Sequence, residues 1–215
     1  MKTTDILFWN VDTQIDFIEP SGKLYVPGAE LIKPLWKEIT AFAAENRIRV
    51  VNTADYHHTN SAELSATPNF IETFPAHCMC NTQGAEYISE TKPQNPQVVN
   101  WDQKSFSASE IENARDIVIR KDMFDVFTGN PFTNEIVDFL SPETVVVYGV
   151  TTNVCVNDAV VGLAKRVENV WVVVDAIKEL PSIPLPFEEW KKLGVKMYDW
   201  QHVSDLLKSK GAPRN

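Results

Sequence analysis

Cysteine is scarce in this chain, with three in 215 residues: Cys78, Cys80 and Cys155. An odd, sparse set provides no disulfide framework, and the C-x-C spacing of Cys78 and Cys80 is too thin for a zinc ribbon, so that pair reads as structural. No apolar run is long enough to span a bilayer. Basic residues are scattered and the net charge is −9, which makes nucleic acid and anionic membrane poor partners. There is no G-x-G-x-x-G, no G-x-x-x-x-G-K-[ST] and no G-x-S-x-G, so neither a phosphate cradle nor a nucleophile elbow of those types is present. Met1 to Asp5 lead directly into a strand-like run; no signal peptide is expected, and the cytoplasm is the expected location.

What the chain does have is an ordinary globular composition, 44% hydrophobic and 23% charged. Its length suits one domain over residues 1–215 with a sizeable core. Strand-like runs alternate with helical stretches, predicting an α/β domain with helices on both faces of a mostly parallel central sheet. Strands are predicted at 6–11, 48–53, 98–101, 116–120, 145–150, 170–174 and 195–198. Helices are predicted at 29–45, 131–140, 153–167 and from about 203, with a frayed tail over 208–215. The irregular stretch 56–96 is long for a structureless loop, which points to function.

The most informative segment is Val145-Val146-Val147-Tyr148-Gly149-Val150-Thr151-Thr152-Asn153-Val154-Cys155. It reads as a buried strand, a polar turn and the start of a helix. A thiol at a helix N-terminus feels the positive end of the helix dipole, which favours the thiolate, and the nearby N–H groups can hold an oxyanion. A small buried hydrophobe is the competing reading of Cys155. Other strands end at Asp12, Asp55 and Lys121. In a parallel sheet such ends share one edge, so a carboxylate, an ammonium and a thiol can meet in one crevice as a nucleophile set. Taken singly, Asp12 also reads as a turn cap and Lys121 as a surface charge.

Three of the four histidines fall in one window as His57, His58 and His77. With Asp55 before them and Glu63 among them, they make a mixed N/O set suited to a divalent metal, zinc, iron or manganese. His58 also reads as an exposed residue, and Glu63 as an ordinary solvated carboxylate.

Together these residues resemble the isochorismatase-like cysteine hydrolases, and within them the nicotinamidases. The resemblance is carried by Val11-Asp12-Thr13-Gln14-Ile15-Asp16-Phe17, Asp55-Tyr56-His57, Pro75-Ala76-His77-Cys78 with Thr82-Gln83-Gly84-Ala85-Glu86, Arg120-Lys121-Asp122-Met123-Phe124-Asp125-Val126-Phe127 and the segment from Gly149 to Cys155-Val156. It implies a three-layer α/β/α fold, a catalytic triad of Asp12, Lys121 and Cys155, and a cis peptide between Val150 and Thr151 that helps the N–H groups of Thr151 and Cys155 face the oxyanion. It also implies metal ligation by Asp55, His57 and His77, with Glu63 as a weaker fourth ligand where many nicotinamidases carry a histidine. Phe17 would wall the substrate pocket, and Phe74 stands where a tryptophan often lines it. Tyr56 and His58 depart from the common residues around the first histidine. The expected activity is hydrolysis of nicotinamide or a close aromatic amide through a thioester, in a homo-oligomer. A metal-independent hydrolase of another amide or a vinyl ether, and a non-catalytic α/β binding protein, are the competing readings.

Overall fold

In the computed structural model, which describes residues 5–181 and 183–209, seven strands form one sheet. They are β1 (Ile6–Val11), β2 (Arg49–Asp55), β3 (Gln97–Val99), β4 (Asp116–Lys121), β5 (Thr144–Val150), β6 (Asn169–Lys178) and β7 (Lys196–Tyr198). The helices are α1 (Ile15–Ile18), α2 (Lys33–Glu45), α3 (Ala108–Asn113), α4 (Val126–Gly129), α5 (Thr133–Leu140), α6 (Cys155–Ala164), α7 (Phe187–Lys192) and α8 (Trp200–Ser209). The strand order is β3-β4-β2-β1-β5-β6-β7, and every neighbouring pair is parallel. Among the described residues, no helix is long and apolar enough to cross a membrane.

Parallel pairing requires crossover connections, and these place helices on both faces of the sheet. The strands are accordingly apolar on both sides; β5 is buried at all seven positions. The pleat then divides them between two cores. Leu7, Trp9, Val11, Ile117, Ile119, Val145 and Val147 pack with Ile136 and Val137 of α5 and with Val156, Val160 and Leu163 of α6. Phe8, Val50, Val146, Tyr148 and Val173 pack on the other side with Trp36 and Ile39 of α2 and with Trp200, Val203 and Leu207 of α8. In α2, Trp36, Ile39, Phe42 and Ala43 are the buried residues, a spacing that puts them on one helical face.

Several boundaries differ from those read in the sequence. β3 is Gln97–Val99, ending before Trp101, and α6 starts at Cys155. β6 does not stop at Asp175 but runs to Lys178, because the register with β5 shifts between Val147 and Gly149 and an irregularity accommodates the polar residue. Asp175 Oδ1 instead accepts from Trp200 N at 2.9 Å. Asp199 Oδ1 accepts from His202 N at 2.8 Å, so α8 begins at Trp200 rather than near Val203, with Asp199 as its cap. Lys208 and Ser209 are helical; the rest of the predicted frayed tail lies outside the described residues.

The stretch 56–96 holds only a 3-10 turn, Gln83–Ala85, yet it is anchored to the segment that follows β1. Gln14 Nε2 donates to the carbonyls of Asp55 and Ala85, each at 2.8 Å, and its Oε1 accepts from Asp55 N. Asp16 accepts from Cys78 N at 2.7 Å and Lys23 N at 3.0 Å. Gly84 makes room for that carboxylate: a Cβ there would lie 2.1 Å from Asp16 Oδ2. Gly84→Ala should therefore destabilise the protein by about 1–3 kcal/mol through overpacking. Urea unfolding of both proteins measures it, and equal midpoints would show that the contact is easily relieved.

Candidate active site

The site grows from the carboxyl edge of the sheet, where β1 has β2 on one side and β5 on the other, a topological switch point. Gly149, at φ +122°, lets β5 approach β1 closely; a Cβ there would lie 2.1 Å from Val11 O. The residue directly after β1 is Asp12, at φ +48°, a conformation that aspartate tolerates better than most side chains. Asp55 and Lys121 are register partners on β2 and β4, so their side chains leave the sheet side by side.

Lys121 is 1% exposed, which excludes the surface-charge reading. Its Nζ lies 3.0 Å from Asp12 Oδ2 and donates to Asp55 Oδ1 in a short contact. Burial alone would strip the proton from this amine, but Asp12 and Asp55 hold its pKa well above the ordinary value. Burial likewise opposes ionisation of Asp55; Lys121 and the nearby imidazoles of His57 and His77 reverse this and hold its carboxyl well below the usual range. Asp12 ends on the other side. Burial raises its pKa and Asp55 adds to the rise, against the pull of Lys121 and of Thr53 Oγ1, which donates to it at 2.6 Å.

Cys155 opens α6 and is 4% exposed, with its sulfur 3.7 Å from Lys121 Nζ. One carboxylate oxygen each from Asp12 and Asp55 and the Cys155 sulfur lie within 4.8 Å of one another. The helix start and Lys121 favour the thiolate, and burial opposes them. Burial pushes the thiol well above its usual pKa, with Lys121 pulling it down and Asp12 and Asp55 adding to the rise. A thiol raised in this way calls for a base to activate it.

The turn before Cys155 contains a cis peptide between Val150 and Thr151. Thr151 O accepts from Val154 N and Val156 N at 3.1 and 3.0 Å. Asn153 fixes the neighbouring loop, donating to the carbonyls of Leu180 and Ile183 at 2.7 Å and accepting from Leu180 N at 3.0 Å.

Asp55 also belongs to a second cluster. Ligand atoms from Asp55, His57 and His77, all buried, lie within 4.8 Å of one another. Asp55 Oδ2 is 3.4 Å from His77 Nε2 and 3.8 Å from His57 Nε2. Glu63 lies outside this three-residue group; its Oε1 accepts from Phe124 N at 2.7 Å. Burial pushes its carboxyl up to about 8 despite that N–H, with Asp55 adding to the rise. Among the described residues, Asp55 Oδ2, His57 Nε2 and Glu63 Oε2 are buried without a hydrogen-bond partner. Orphaned acceptors of this kind suit a bound cation, so the donor set fits a divalent metal. His58 is exposed and lies 3.6 Å from Cys80 Sγ, away from the cluster.

Phe17, Leu24, Phe74, Phe124, Val154 and Leu180 wall a narrow pocket floored by Asp55, His77, Thr151 and Cys155. Phe17 meets the His77 ring edge-on at 5.3 Å, and Phe74 meets Phe124 edge-on at 5.2 Å. Sequence reasoning named Phe17 and Phe74 but missed Leu24, Phe124 and Leu180. Leu24 and Leu180 are ordinary apolar residues with no distinguishing pattern, and Phe124, although inside the motif at 120–127, carries no mark of its place in the pocket. It also missed Asp122, whose Oδ1 lies 3.2 Å from His57 Nδ1 although 65 residues separate the two; its position directly after Lys121 was the one available signal.

Comparison with known proteins identifies the family and the fold. The chain is 35% identical over 77 residues to the nicotinamidase/pyrazinamidase of Mycobacterium tuberculosis, a match covering 36% of this chain and 40% of that protein. Its fold is shared with the pyrazinamidase of Pyrococcus horikoshii, solved in complex with zinc, at TM-score 0.70 and 24% identity over 91% of this chain and 99% of that one. N-carbamoylsarcosine amidase from Thermoplasma acidophilum is also similar, at TM-score 0.67 and 22% identity over 90% and 95%. The isochorismatase domain model matches residues 7–184, the span that contains every element of the site, and the chain belongs to that family.

Proposed function

We propose that this protein is a metal-assisted cysteine amidohydrolase that converts nicotinamide, or a close aromatic amide, to the acid and ammonia. The observation that carries the reading is the sharing of Asp55. One of its oxygens pairs with the ammonium beside Cys155, and the other faces His57 and His77. A nucleophile and a mixed N/O ligand set thus open onto one aromatic-walled pocket. The partial match to a nicotinamidase/pyrazinamidase supports the same substrate class.

In this mechanism Asp12, made more basic by burial, accepts the Cys155 proton as the sulfur attacks the carboxamide carbon. The C–S bond forms and the carbonyl oxygen becomes an oxyanion facing the N–H groups of Thr151 and Cys155. Collapse breaks the C–N bond, Asp12 returns the proton to the departing ammonia, and a thioester remains. Water then attacks that carbon while Asp12 takes one of its protons; the C–S bond breaks, the acid leaves, and the proton returns to sulfur. Lys121 stays protonated throughout, orienting Asp12 and stabilising charge on sulfur. Asp55, His57 and His77 would hold the metal, zinc by preference or iron or manganese, with the orphaned Oε2 of Glu63 as a fourth donor. When bound, such an ion supplies positive charge to attract a ring nitrogen and to acidify water in the site. Phe17, Phe74 and Phe124 would hold the ring flat.

Cys155→Ala should remove ammonia release from nicotinamide by at least about four orders of magnitude, while thermal unfolding stays near wild type. Persistent release by the variant would sink the covalent route. No release from metal-replete wild type would instead favour the metal-independent hydrolase of another amide or vinyl ether. His57→Ala should lose bound metal, read by elemental analysis of the purified protein; full retention would remove His57 from the ligand set. Phe124→Ala should lower kcat/KM for nicotinamide roughly 2- to 10-fold, the worth of one aromatic contact, and lower it less for bulkier aromatic amides. A uniform loss across amides would show that Phe124 does not select substrate.

A further inference from the structure

His57 and His77 both offer Nε2 to the Asp55 cluster, but their other ring nitrogens are held differently. His77 Nδ1 lies 2.8 Å from Pro75 O, a neutral carbonyl two residues away. His57 Nδ1 lies 3.2 Å from Asp122 Oδ1, a carboxylate on the turn after β4. A carboxylate and a carbonyl only accept, so each Nδ1 is a donor, and in the neutral ring that a metal requires each Nε2 is the nitrogen left to serve as a ligand. His57 is fully buried while Asp122 is 23% exposed, so the contact links the pocket interior to its rim.

Asp122 is itself held. Its N–H donates to Gly129 O at 3.2 Å. Ser61 Oγ donates to the same Oδ1 that faces His57, in a short contact, and accepts from His58 N at 3.1 Å. Ser61 N donates back to His58 O at 3.1 Å, closing a turn immediately after His57. The stretch from His57 to Ser61 is thus bound to the turn that carries Lys121 and Asp122. Those two adjacent residues reach the two ends of the site: the ammonium goes to Asp12, Asp55 and Cys155, and the carboxylate goes to His57.

We infer that Asp122, braced by Ser61, is a positioning residue that fixes the ring and tautomer of His57 and so sets the affinity of the metal site. The inference rests on the metal reading given above. A carboxylate on the far nitrogen of a ligating histidine makes the near nitrogen a better donor and limits ring rotation. The neutral carbonyl behind His77 orients that ring without adding charge. His57 is therefore the ligand whose donor strength depends on a side chain that substitution can change.

The test is titration of metal-stripped protein with Zn(II) in competition with a chromophoric chelator, together with the visible absorption spectrum of the Co(II) form. Asp122→Asn, which keeps shape and removes charge, should weaken Zn(II) binding roughly 10- to 100-fold. It should also shift the Co(II) ligand-field bands, a change that a merely structural role would not produce. Ser61→Ala, a milder change that serves if Asp122→Asn fails to fold, should weaken binding severalfold in the same direction. Wild-type affinity and an unaltered Co(II) spectrum in both folded variants, or in Ser61→Ala alone if it is the one that folds, would overturn the inference and leave the metal reading standing. Wild type that binds neither ion would overturn both.

Discussion

The buried Lys121 ammonium is the constraint on which the rest of the site depends. A charge with 1% exposure must be compensated, and Asp12 and Asp55 do so from the ends of β1 and β2. Removing Asp55, the partner held ionised, would leave the ammonium poorly compensated in a nearly dry interior, and breaking a buried pair typically costs about 3–5 kcal/mol. The three strand ends are thereby tied together, and everything that reacts or coordinates is placed relative to that triangle. Cys155 is set against it from α6 and His77 from the long irregular stretch.

Asp55 gives the triangle its chemical reach. With one oxygen on Lys121 and the other toward two imidazoles, it belongs to the nucleophilic half and the ligating half at once. The charges at the cluster then divide the labour. Asp55 is held ionised, while Asp12 and Cys155 are pushed toward their protonated forms by the same burial. The two carboxylates on one ammonium shift in opposite directions, one fixed in charge and the other able to exchange a proton.

Much of this was legible before the fold was known. Asp12, Asp55 and Lys121 each followed an apolar run, and a parallel sheet brings such ends to one edge. Cys155 stood after a glycine and a polar turn. His57 and His77 fell in one window beside Asp55. The legible signals were local patterns of burial and residue type, which short-range physics reads directly. Less legible were features set by partners far along the chain. Asp122 is an ordinary acidic residue until His57 stands 3.2 Å away. Gln14 was part of a quoted motif, but its hold on the backbone of Asp55 depends on a separation of 41 residues. The balance at Cys155 was also out of reach: a helix start argues for the thiolate, while burial, which only packing determines, argues for the thiol.

The sequence alone determined the alternation of elements, the parallel character of the sheet and the chemical types at its edge, because these follow from periodicity and from the rule that strand ends share an edge. The tertiary structure decided which of those residues share a proton, which oxygens are left without partners, and which aromatic rings close the pocket. Those outcomes depend on distances of a few ångströms between segments 30 to 65 residues apart, as between Cys155 and Lys121 or Asp122 and His57. They depend equally on the removal of water around them, and neither quantity is carried by any single stretch of chain.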